Sequence, residues 1–280
     1  MPMASTRKFV SKRMLLALTA IVSTTFVPGE ATASRTGMPT MAVNTGSNPA
    51  VGNDPVRWVA ALSSDGYGVG LGNAGCSAFF FDNNTVATAG HCVYHDFVKS
   101  DGRRWITSYG TLQISRDAYW NGSAAVKPYG TCTSLDLPSA SADWQNTGNP
   151  IADYGAVRLN NNCTLPSTWF AMSSASPSLS AGATFTTGYP WDMGGGNGNP
   201  FNMIKSTGQI LGLYADRICY NASTYGGNSG GPVYQSTSSG IRAFGIHNYA
   251  EQSMPGCPAG QNGATRLTTT VINRLNSWRA

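Results

Sequence analysis

Gly227-Asn228-Ser229-Gly230-Gly231-Pro232, preceded upstream by Thr88-Ala89-Gly90-His91-Cys92, is the stretch from which the rest of the chain can be read. A serine hydroxyl is a poor nucleophile until a base takes its proton during attack. The glycines around Ser229 let the backbone turn sharply and bring its N–H groups close to a substrate oxygen. The Gly227 and Ser229 N–H groups would then form an oxyanion hole beside the nucleophile. His91 supplies the base, and the order His then Ser asks for an acid between them.

Eight aspartates and no glutamate lie in that interval: Asp96, Asp101, Asp117, Asp136, Asp143, Asp153, Asp192 and Asp216. Asp153 fits best. It opens Asp153-Tyr154-Gly155-Ala156-Val157-Arg158-Leu159, whose alternation reads as a strand. An aspartate at a strand start can be buried and held by the sheet, as orienting an imidazole requires. The others sit among Gly, Ser or Asn and suit turns; Asp143 is the second choice.

Charged residues make up 11% of the 280, and Gly, Ser, Thr and Asn abound, which favours short strands and turns over helices. Of the net charge of +5, the leader accounts for +3 (Arg7, Lys8, Lys12 and Arg13 against Glu30). The remaining +2 is too small for a nucleic-acid or membrane-surface function. Residues 1–33 read as a secretory signal: the basic cluster, an apolar Met14–Val27, then Ala31-Thr32-Ala33 as a small-x-small cleavage pattern. No later run is apolar enough to hold the chain in a membrane. Residues 34–56, with Pro39, Pro49 and Pro55, read as a removable or extended segment. The mature start is left open between Ser34 and Val51.

Beyond the leader stand Cys76, Cys92, Cys132, Cys163, Cys219 and Cys257. An even number in an exported chain implies disulfides. Nearness in sequence suggests Cys132–Cys163 and Cys219–Cys257. With no C-x-x-C pair and only three histidines, no metal site is expected. Short apolar runs from Trp58 onward alternate with turns and indicate an all-β sandwich or barrel in two sets. The first set is Trp58–Leu62, Ser77–Phe81, Thr85–Ala89 and Ile106–Ile114. The second is Ala183–Gly188, Ile204–Leu213, Ile218–Asn221, Gly231–Tyr234 and Ile241–His247. Val271, Ile272, Leu275 and Trp278 share one face of a closing helix within Thr268–Arg279. His91 and Asp153 fall in the first set and Ser229 in the second, so the site should form between them.

The His91 and Ser229 motifs together resemble the chymotrypsin-like serine proteases. Val86–Cys92, Asp153–Val157, Thr187-Gly188-Tyr189-Pro190, Thr224–Gly230 and Ala264–Leu267 resemble the secreted bacterial glutamyl endopeptidases within them. The resemblance runs with gaps from about Arg57 to Trp278. It implies two antiparallel Greek-key β-barrels, residues 57–165 and 166–280, with His91, Asp153 and Ser229 as a triad in their cleft. It also implies a bridge between Cys76 and Cys92, which pins the histidine. Protein or peptide substrates, a monomer and no cofactor follow.

Two departures from the digestive trypsins matter. Asn228 replaces the aspartate that pairs with a new N-terminal ammonium in trypsin-like zymogens, so that activation switch should be absent. Ser223 stands where trypsins hold the aspartate that binds Lys or Arg. By resemblance, Thr224 and His247 would instead contact a substrate glutamate carboxylate. Composition adds a hint: Glu251 is the one glutamate after residue 33, against 11 aspartates. Two alternatives stay open: an endopeptidase for apolar side chains with His247 structural, and a non-catalytic binding module of the same fold.

Overall fold

The computed structural model describes residues 41–43, 55–64, 75–94, 111–120, 123–190, 203–250 and 254–279. The signal expected at 1–33 and the start of the strand expected at Ile106 lie outside them. In chain order the strands are β1 (Met41–Val43), β2 (Val59–Ser64), β3 (Cys76–Phe80), β4 (Thr85–Thr88), β5 (Leu112–Arg116), β6 (Tyr119–Trp120), β7 (Ala125–Val126), β8 (Cys132–Thr133) and β9 (Ser139–Ala140). Then come helix α1 (Ala142–Thr147), β10 (Gly155–Arg158), β11 (Ala171–Met172), β12 (Thr184–Gly188), β13 (Ile204–Gly208), β14 (Ile210–Leu213), β15 (Arg217–Tyr220), β16 (Pro232–Thr237), β17 (Gly240–Tyr249), β18 (Asn262–Arg266) and helix α2 (Thr269–Asn276).

Two curled antiparallel sheets form half-barrels, as the all-β reading expects. The first runs β8-β5-β2-β3-β4-β10-β9, the second β1-β13-β12-β16-β17-β18-β15-β14. Among the described residues one pairing is parallel, the two-residue β11 against Arg242 and Ala243 of β17.

Strands β3 and β4 are buried on both faces, their apolar stretches Ala78–Phe80 and Val86–Ala87 flanked by the buried polar Ser77, Thr85 and Thr88. Ala78 and Phe80 point into the first half-barrel with Val86, Leu112 and Ile114. Phe79 and Phe81 point the other way, into a core shared with Tyr189, Tyr234 and Ile246 of the second sheet. Each fully buried phenylalanine contributes roughly 1.5–3 kcal/mol, so this shared layer holds the two sheets together.

Helix α2 seals that layer. Thr268 caps it, accepting from the Val271 N–H at 3.3 Å. Leu275 is buried, and Val271, Ile272 and Trp278 pack against the shared core. Arg279 then returns to the first sheet, donating to the Phe81 carbonyl at 3.0 Å and pairing with Asp82.

Three local readings need correction. The run Ile204–Leu213 is two strands, broken at Gln209, whose N–H donates to Asn221 Oδ1 at 2.7 Å. The strand after Asp153 begins at Gly155. Helix α1 and strand β18 carry no apolar pattern and were not expected.

Candidate active site

His91 lies in a single 3-10 turn, Gly90–Cys92, directly after β4. A disulfide from Cys92 to Cys76 ties that turn to β3. A Cβ on Gly90 would stand 2.8 Å from Trp144 Cδ1 and 2.9 Å from Asp153 Oδ1, so only glycine fits there. Trp144 is brought in by α1. Ser141 caps that helix, accepting from the Trp144 N–H at 3.0 Å, and the Trp144 indole donates to the Tyr94 carbonyl at 2.9 Å. The indole thus packs edge-on against the His91 ring, with centroids 6.3 Å apart.

Asp153 is fully buried, and both its carboxylate oxygens serve His91. Oδ1 accepts the His91 backbone N–H at 2.7 Å, and Oδ2 lies 2.7 Å from Nδ1. An ionised carboxylate only accepts, so Nδ1 carries the proton, and in the neutral ring Nε2 is then the acceptor. The His91 side chain is 31% exposed, so a partner can reach it. Asp143, the second choice, is exposed on α1 and accepts from Thr147 and Asn149. Asp96, Asp101 and Asp192 lie outside the described residues.

Ser229 sits in the turn before β16. The Asn228 N–H donates to the Tyr225 carbonyl and the Gly231 N–H to the Asn228 carbonyl. Gly227 has φ 97°, a conformation that favours glycine. Among the described residues neither the Gly227 nor the Ser229 N–H donates a hydrogen bond. The Ser229 carbonyl accepts from the Ser77 N–H at 2.7 Å and lies 3.6 Å from Cys92 Sγ, which places Ser229 beside the His91 turn. Its hydroxyl lies 3.5 Å from the Asn248 carbonyl.

His247 of β17 pairs with the end of this turn. The Gly230 N–H donates to the His247 carbonyl, and the His247 N–H to the Gly231 carbonyl. The His247 ring is buried, with Nδ1 2.7 Å from the Tyr220 hydroxyl. Burial, and after it the charge of His91, lowers its pKa to about 3, while a hydrogen bond with the Gly263 backbone acts in the opposite direction. His247 is therefore uncharged at neutral pH. The Thr224 hydroxyl donates to Asn262 Oδ1 at 2.7 Å, and the Asn262 amide donates to the Ala222 carbonyl.

Sequence reasoning missed Ser77, Trp144, Tyr220, Asn248 and Asn262. Each acts through tertiary contact, and no local motif marks it. The three cysteine pairs are bridged as expected: Cys76–Cys92, Cys132–Cys163 and Cys219–Cys257. Among the described residues one group of metal-ligating types gathers, Cys76, His91 and Cys92. Both its sulfurs are spent in a disulfide, so it does not suit an ion.

Residues 76–241 match the family described as trypsin-like peptidase domain. The chain is 31% identical over 206 residues to a protein of Bacillus subtilis (strain 168) named extracellular metalloprotease, covering 73% of this chain and 58% of that one. It is 31% identical over 229 residues to the glutamyl endopeptidase of Bacillus licheniformis, covering 80% and 64%. It thus spans less than two thirds of either relative. A solved Glu endopeptidase in complex with MPD superimposes with a TM-score of 0.65 at 16% identity, covering 86% of this chain and 97% of that one. The protease Anisep from Arthrobacter nicotinovorans gives 0.57 at 18%, covering 80% and 96%. At these identities the structural likeness is one of fold.

Proposed function

The chain belongs to the trypsin-like peptidase family, and from that premise we propose that it is a secreted serine endopeptidase preferring glutamate before the scissile bond. One observation carries the catalytic reading: buried Asp153 holds Nδ1 of His91 while Ser229 lies beside that turn with two unengaged N–H groups. In this reading Ser229 Oγ attacks the scissile carbonyl and its proton passes to His91 Nε2. Asp153 stabilises the imidazolium, and the Gly227 and Ser229 N–H groups hold the oxyanion. His91 returns the proton to the leaving amine, and water then releases the acyl group by the same path. Secretion is supported by the leader-like residues 1–33, the three disulfides and the Bacillus subtilis relative, which is named an extracellular metalloprotease.

The glutamate preference is supported by the Bacillus licheniformis relative and by the resemblance that assigns the buried polar residues Thr224 and His247 to the substrate side chain. A carboxylate entering there loses water and needs donors in return. It would have to replace the bond between the His247 ring and Gly263. The same observation favours a second reading. His247 is uncharged and held on both sides, and the Thr224 proton is committed to Asn262, so neither offers a ready cation. An apolar side chain before the scissile bond would then be preferred.

Otherwise identical peptides with Glu, Gln, Asp, Phe or Arg at that position decide between the two. His247→Ala should reduce kcat/KM for Glu by about 2 kcal/mol or more, the scale of a buried hydrogen bond to a charged group, and spare Phe. A wild type that prefers Phe or Arg ends the glutamate reading. Failure of an organofluorophosphate to label Ser229, or full activity in Ser229→Ala, ends the catalytic one.

A further inference from the structure

We propose that Ser77 is the positioning residue of the oxyanion hole, an inference that rests on the catalytic reading above. The Gly227 and Ser229 N–H groups must point at one oxygen, yet a glycine turn has little intrinsic rigidity. The carbonyls of those same two residues are both held by Ser77. Its backbone N–H donates to the Ser229 carbonyl at 2.7 Å, and its hydroxyl donates to the Gly227 carbonyl at 2.8 Å. The hydroxyl has one proton. The Tyr189 N–H donates to the same oxygen at 2.9 Å, which occupies its accepting side and keeps that proton on Gly227. The Ser77 carbonyl in turn accepts from the Thr88 hydroxyl at 2.8 Å.

Ser77 is fully buried and lies on β3 of the first sheet, whereas Gly227 and Ser229 belong to the second. The hole is thus shaped from across the interface, by a neutral hydroxyl in place of the ion pair that Asn228 cannot make. Ser77 touches no reacting atom; it acts by holding the Gly227–Asn228 and Ser229–Gly230 peptide groups, which adjoin the ones that carry the two N–H groups.

The test is Ser77→Ala, compared with wild type for kcat, KM, and the affinities of a peptide boronic acid and a product peptide. The boronate oxygen occupies the hole; the product does not demand it. The expected result is a kcat lower by about tenfold to a hundredfold, the scale for disturbed positioning or a weakened oxyanion donor. Boronate affinity should fall in step, with KM and product affinity unchanged, and Ser77→Thr should recover activity. A folded Ser77→Ala with kcat within about twofold of wild type overturns the proposal, as does a loss confined to KM. Should alanine prevent folding, Ser77→Thr and Ser77→Val, alike in shape, put the same question, and equal activity in the two overturns it. A wild type that neither cleaves peptides nor is labelled at Ser229 overturns the catalytic reading and this proposal with it; an active wild type confines any failure to Ser77.

Discussion

Lowering the pH from 7 to 5 should destabilise the folded chain by about 2 kcal/mol through His247 alone. The ring is fully buried, and its pKa falls from the usual 6.5 to about 3, first by burial. In the unfolded chain it takes a proton at about 6.5; in the folded chain it stays neutral down to about 3. Between those values the unfolded state binds more protons, so acid favours unfolding. The contribution is fully present above pH 6.5 and shrinks by about 1.4 kcal/mol per pH unit below it, levelling off near pH 3. The interval from 6.5 down to 5 gives the figure of about 2 kcal/mol. Equilibrium urea unfolding at pH 7 and 5 measures it, in a Ser229→Ala background to prevent self-digestion and with disulfides intact. His247→Gln removes the titration while leaving a polar group for the Tyr220 hydroxyl. The His247 protein should lose about 2 kcal/mol more than this variant over the interval. Equal losses would refute a buried, neutral His247.

Two further substitutions probe the His91 turn. Gly90→Ala places a methyl against Trp144 and the Asp153 carboxylate, so one of them must shift; kcat should fall about a hundredfold, and full activity with an unchanged urea midpoint would contradict this packing. Asp153→Asn leaves one acceptor oxygen for the two donors His91 presents, and kcat on a peptide substrate should drop about 10⁴-fold with a smaller change in KM.

The sequence disclosed those parts of the fold whose signal is local. The apolar stretches Ala78–Phe81 beginning in β3 and Val86–Ala87 in β4 announce themselves; so does the amphipathic stripe of α2. Helix α1 gives no such sign. Its six residues, Ala-Asp-Trp-Gln-Asn-Thr, bury one side chain, Trp144, and depend on the Ser141 cap. Strand β18 reads Asn-Gly-Ala-Thr-Arg and still has four buried residues, because Asn262 and Thr265 find hydrogen-bond partners inside the protein. A buried polar strand with satisfied groups looks like a loop to any reading by hydrophobicity.

The candidate site divides in the same way, and the division shows how it is assembled. His91, Asp153 and Ser229 could be named because each lies in a short motif with its own chemistry. The residues that aim them could not, because they come from the opposite sheet. The first sheet side contributes His91 and Asp153, and the second contributes Ser229. Ser77 of the first sheet holds the carbonyls of Gly227 and Ser229, while Asn248 of the second donates its side-chain amide to the carbonyl of Asp153. The Asn248 amide oxygen is fixed by the Thr265 N–H at 2.8 Å, so the donor cannot turn away. Each half therefore holds the backbone of a proposed catalytic residue that the other half supplies. Neither sheet alone can present the geometry, and the apolar layer of Phe79, Phe81, Tyr189, Tyr234 and Ile246 that docks the sheets sets the precision of the site as well as the stability of the fold.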